Sequence, residues 1–97
     1  MDIKLTEKFK EYVKDKNIDV VGIKYGKSCS SWAGTFRVPE VLKEKPNDLE
    51  NYDSYTIDGI KVYVHKSIET TEGKIIFKVT GFWIFKEIEV EGLDFTL

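Results

Sequence analysis

Apolar residues recur along this chain at two spacings: three to four residues near the beginning, two over most of the rest. Phe9, Tyr12 and Val13 stand at i, i+3 and i+4, the stripe of an amphipathic helix. Thr6 is suited to cap its start, Glu7 to its first turn and Lys14 and Lys16 to its last, and Asn17 can close it in a left-handed conformation. So narrow an apolar stripe cannot hold a helix alone, which predicts that it lies on a sheet.

Period two takes over at "IDVVGIKYG", a β-branched run closed by Gly26 that predicts a strand. Small polar residues from Lys27 to Thr35 predict a loop. In "FRVPEVL" Pro39 can start a short helix or sit on an edge strand, and the Phe36/Val38 spacing slightly favours the strand. "KEKPNDLENYD" reads as a polar surface loop. The sharpest local signal is "SYTIDGIKVYVHK", two alternating runs around Asp58-Gly59, the dipeptide of a two-residue type I′ hairpin. Beyond that turn Ile60, Val62 and Val64 alternate with Lys61, Tyr63 and His65, which are expected on the less apolar face. "TTEGK" marks a further turn, and "IIFKVTGFWIFKEIEVEG" supplies two more strands broken near Gly81. In the second of these Ile88 and Val90 alternate with Glu87, Glu89 and Glu91, so one face is wet. The expectation is a helix and five or six mostly antiparallel strands forming a single domain over residues 1–97.

Composition narrows the function classes. With 15 basic and 17 acidic residues interspersed, net charge −2, the chain has no field that would gather polyanions, so neither nucleic acid nor an anionic membrane is an expected partner. No apolar run reaches the roughly 20 residues that span a bilayer, and "MDIKLTEKFK" lacks a signal-peptide core. One cysteine cannot form an internal disulfide. A cytoplasmic location is therefore expected.

The candidate chemistry is sparse. Cys29 follows a strand in a Gly/Ser-rich segment with Lys24 and Lys27 nearby, which favours the reactive thiolate, although a free cysteine also serves as a small hydrophobe. His65 is the sole histidine and stands outside the usual metal-binding spacings, so a hydrogen-bonded structural role competes with an accessory one. A nucleophile–base pair of Cys29 with His65 is a further reading. "GFWIF" puts bulk on both faces of a strand, and Phe82, Trp83 and Phe85 are candidates for core or for a partner interface. The row Glu87, Glu89, Glu91 is read as solvating an edge.

The order "LTEKFKEYVKDK", strand, "KSCSSWAG", polar loop, "GIKVYVHKSIE" resembles the HesB-like family, which includes the A-type iron–sulfur carriers. It looks closest to a branch of small proteins carrying a Cys-Cys or Cys-selenocysteine pair in the cysteine segment. The resemblance implies a β-rich α+β fold with the N-terminal helix packed on a mixed, partly sandwiched sheet. It also implies Cys29 as the metal or thiol site, with Ser30 or Ser31 where the second sulfur or selenium would stand. The carriers' Cys-Gly-Cys tail has no counterpart in "EGLDFTL". Iron or an iron–sulfur cluster is then expected only with ligands from another chain. The resulting expectation is a HesB-like protein linked to iron–sulfur or thiol metabolism through one cysteine, leaning away from enzymatic activity. Its partner would be an unidentified protein or a second copy. The alternative is a HesB-like scaffold that binds proteins and has no metal or redox chemistry.

Overall fold

The computed structural model describes residues 2–31, 34–81 and 86–94, with 27–31 and 35–37 described by their backbone. Seven strands and one α-helix are formed among them: β1 Asp2–Leu5, α1 Glu7–Asp15, β2 Val20–Ser31, β3 Gly34–Leu42, β4 Tyr52–Ile57, β5 Ile60–His65, β6 Lys74–Thr80 and β7 Glu87–Glu91. A short 3-10 helix, Leu49–Asn51, precedes β4. The chain is thus β-rich α+β, with one helix, and its contacts divide into two compact units, residues 1–19 with 69–93 and residues 20–68 with 94–97.

The first unit is a three-stranded sheet, order β1-β6-β7, in which β1 runs parallel to β6 and β7 antiparallel to it. The Thr6 hydroxyl accepts the Phe9 N–H at 3.2 Å and so caps α1, and Asn17 ends the turn with φ 56°, as the local sequence predicts. Phe9 and Val13 are the buried residues of the helix. Phe9 packs on β6 through Phe77, centroids 5.5 Å apart and rings tilted 55°. Both rings and Ile75 are fully buried. In β7 Val90 is buried and Ile88 half-buried while Glu87, Glu89 and Glu91 are exposed, the wet face expected. Gly92 ends β7 at φ 94°, so close to β6 that a Cβ there would lie 2.1 Å from the Lys74 carbonyl oxygen.

The second unit is a four-stranded sheet, order β3-β2-β5-β4. β2 and β5 are parallel, whereas β2–β3 and β4–β5 are antiparallel. Asp58 and Gly59 take φ 51° and 80°, the two positive values a type I′ turn requires, and Ile57 pairs with Ile60 across it. Val21, Ile23, Val62 and Val64 are essentially fully buried.

Three of the five strand pairings are antiparallel, as expected, and two are parallel, where β1 and β2 each join a strand far along the chain. Two expectations are corrected. Tyr63, expected on the less apolar face of β5, is only 8% exposed, with Lys61 and His65 on either side of it half-buried. Residues 27–31 extend β2 instead of forming a loop. They pair with β3 as the far half of a long hairpin arm, and that pairing overrides their weak strand propensity. β3 does lie at the edge, which accommodates Pro39.

Candidate functional site

The β2–β3 hairpin carries the only cysteine of the chain. Along β2 the register runs evenly to Tyr25, opposite Pro39, and resumes with Ser28 opposite Arg37. Three steps on β2 thus oppose two on β3, which is a β-bulge at Gly26 and Lys27. Beyond the bulge Cys29 pairs with Phe36, Ser30 with Thr35 and Ser31 with Gly34, and Gly34 at φ 131° opens the returning strand. The three candidate positions are therefore consecutive residues at the tip of a bulged hairpin. Just before the bulge, the Tyr25 hydroxyl donates to the Asp94 carbonyl at 2.6 Å and ties the C-terminal segment to this strand.

His65 is placed elsewhere. Ile23 pairs with Val64, so His65 is level with the Lys24 region of β2. Cys29 lies beyond the bulge, about 15 Å further along at ~3.3 Å per residue. The strand register does not bring the two together. His65 has its own partners: its Nδ1 accepts the Ser67 N–H at 3.1 Å and lies 2.7 Å from Ser67 Oγ. Its ring stands edge-on to Tyr52, centroids 5.0 Å apart. Phe82, Trp83 and Phe85 lie outside the described residues.

A polar basin that the sequence shows only as a loop lies at the His65 end of this sheet. Residues 43–51 carry the chain from β3 at one edge to β4 at the other, and leave a cavity of about 270 Å³ lined by Lys24, Leu42, Glu44, Lys45, Pro46, Asn47, Asp48 and Tyr52. Asn51 Nδ2 donates to Asp48 Oδ2 at 3.0 Å. That bond, helped by the charges of His65 and Lys24, holds the Asp48 carboxyl below the usual carboxylate range. Burial, with the nearby carboxylates of Asp48 and Glu40, raises the Tyr52 phenol. Lys24 meets Glu40 only at 3.9 Å. The sequence signal for the basin was the Asp48/Asn51 spacing after Pro46, hidden in a segment that reads as generic polar loop. On the other unit's sheet Glu91 is ion-paired with Lys78, which also approaches Glu89 to 3.9 Å, so two of the three glutamates are engaged along an edge strand.

Among the described residues, the phenols of Tyr52 and Tyr63 apart, no polar or charged side chain is buried, and no group of three or more His, Cys, Asp or Glu is arranged to hold a metal. No helix among them is long and apolar enough to cross a membrane. Compared with known proteins, the chain matches the model of the CC/Se motif containing family over residues 1–93. No curated protein and no solved structure matches it.

Proposed function

Because the chain belongs to the CC/Se motif containing family, we propose that it is a HesB-like protein serving thiol-linked metabolism through one sulfur, Cys29. One observation carries this reading. The matched span contains a single cysteine, and its neighbours are Ser28 and Ser30, so a family described by a CC/Se motif is represented here by one thiol between two hydroxyls. An internal disulfide is therefore impossible.

The donor set does not fit a cluster held by one chain. A [2Fe–2S] cluster takes four protein ligands, as a rule thiolates, and the chain has one thiol. The chemistry left to a lone thiol is exchange with a partner's disulfide. The Cys29 thiolate attacks one sulfur of R–S–S–R, a Cys29–S–S–R bond forms, the original S–S bond breaks, and the released thiolate takes up a proton.

The test is incubation of the folded protein with glutathione disulfide at neutral pH, followed by intact mass. A gain of one glutathione is expected for the wild type and none for Cys29→Ser, with the native chain reacting at least as fast as the same chain unfolded in urea. A native thiol that reacts more slowly than the unfolded one would overturn the reading. Thiolate-to-iron absorption after anaerobic loading with iron and sulfide, lost in Cys29→Ser, would replace it with metal ligation by several chains.

A further inference from the structure

β4 forms one edge of the four-stranded sheet. The Lys66 N–H donates to the Asn51 carbonyl at 2.8 Å. That bond marks Tyr52–His65, the first β4–β5 pair, as one of the non-hydrogen-bonded pairs of an antiparallel ladder. Alternation then makes Asp53–Val64, Tyr55–Val62 and Ile57–Ile60 the hydrogen-bonded pairs, the last flanking the two-residue turn as it should. Ser54 and Thr56 consequently turn their N–H and C=O groups away from β5, and both residues are exposed. Among the described residues nothing donates to or accepts from these four groups. Tyr52 differs, since its N–H is used by the Leu49 carbonyl.

Sheet edges are normally blunted against pairing by shortness, charge, proline or bulges. Among the described residues the other three edges are. β3 contains Pro39 and faces the bulge, β7 presents three glutamates, and β1 has only four residues, with Asp2 and Lys4 exposed. β4, Tyr52–Ile57, has no proline, no lysine, no bulge and one charge, Asp53.

We propose that β4 pairs antiparallel with β4 of a second copy about a two-fold axis at Tyr55, forming one continuous eight-stranded sheet. In this register Ser54 lies opposite the second copy's Thr56, and their N–H and C=O groups satisfy one another on both sides of the axis. Tyr55 meets its own copy, an aromatic cross-strand pair, and Asp53 faces Ile57, so no like charges are opposed. Pairing with any of the other edges would meet their blunting, so the contact is isologous and closes at two copies. The two β2 strands then stand five strand spacings apart, about 24 Å. The dimer leaves each Cys29 single, and the proposal is independent of the thiol chemistry.

Sedimentation velocity of the full chain from ~10 μM to ~1 mM tests the association. A monomer–dimer shift is expected, with the Ser54 and Thr56 amides gaining hydrogen-exchange protection as dimer forms. Ser54→Pro removes an outward N–H and no ladder bond; together with Thr56→Lys it is expected to give monomer throughout. Register is read by disulfide formation in a Cys29→Ser background. Non-hydrogen-bonded partners stand ~4.5 Å apart at Cα, within disulfide reach, so Tyr55→Cys gives a covalent dimer under mild oxidant and Asp53→Cys does not. A chain that is monomeric at the top concentration, with both amides freely exchanging, overturns the proposal. So does a dimer indifferent to both edge variants, or cross-linking at Asp53→Cys in preference to Tyr55→Cys.

Discussion

Replacing Gly92 by alanine should be among the most damaging single-methyl changes in the chain, and its neighbourhood provides the control. At φ 94° the backbone is in a region costly for any L residue, and a Cβ would sit 2.1 Å from the Lys74 oxygen and 3.2 Å from its carbon. Gly73, in the same unit and next to Lys74, also has positive φ, 72°, but a Cβ there meets nothing within 4 Å. Positive φ alone costs roughly 1–2 kcal/mol, so Gly73→Ala should lose about that much. Gly92→Ala adds forced movement of packed backbone, about 1–3 kcal/mol by analogy with overpacking. That movement pulls on the Thr71 N–H to Gly92 carbonyl bond of 3.0 Å and on the Thr70–Leu93 bridge. The expected total is ~2–5 kcal/mol, out of roughly 5–15 kcal/mol for a domain. At about 4–8 °C per kcal/mol, thermal unfolding followed by circular dichroism should place Gly92→Ala at least ~4 °C below Gly73→Ala. Equal melting points for the two variants would refute the close approach of β7 to β6 on which the argument stands.

Three further outcomes follow from the described contacts. Phe77→Ala should cost about 3–5 kcal/mol, and a double-mutant cycle with Phe9→Ala in urea should show a coupling of about 0.5–1.5 kcal/mol, reflecting the tilted ring pair. Thr6→Ala should cost ~1 kcal/mol by loss of the α1 cap, whereas Thr6→Ser should restore most of it. In NMR pH titration Asp48 should titrate below its ordinary 3.8. A depressed carboxylate contributes stability above its unfolded pKa that is lost as pH falls through the folded one. Asn51→Ala, which removes the leading cause, should move the midpoint back up; a midpoint unchanged in that variant would mean that the Asn51 bond is absent in solution.

Elements whose residues hold their own instructions were legible in the sequence. Thr6, the Phe9/Val13 stripe and Asn17 define α1 locally, and Asp58-Gly59 sets the hairpin turn without help from the rest of the chain. β1 was missed because "DIKL" is short and mixed, and it is a strand only through its parallel pairing with β6. Residues 27–31 read as a loop because Ser and Lys give no strand signal, and the partner that makes them a strand begins beyond the turn. For the site, the sequence singled out Cys29 and its serines but not the bulge beneath them. It could not separate Cys29 from His65, because that separation is a matter of parallel register between β2 and β5.

The first unit is assembled from the two ends of the chain, and this sets an order on its making. Leu5 pairs with Phe77 and Ile57 with Ile60, so joining β1 to β6 closes a far longer loop than the β4–β5 hairpin does. By the logarithmic scaling of loop closure, that costs roughly 3 kcal/mol more chain entropy. On a ribosome adding about 5–20 residues per second, β1 and α1 emerge several seconds before their sheet exists, with Phe9 and Val13 uncovered meanwhile. The middle of the chain, with its two hairpins, can fold while its beginning still waits for its end.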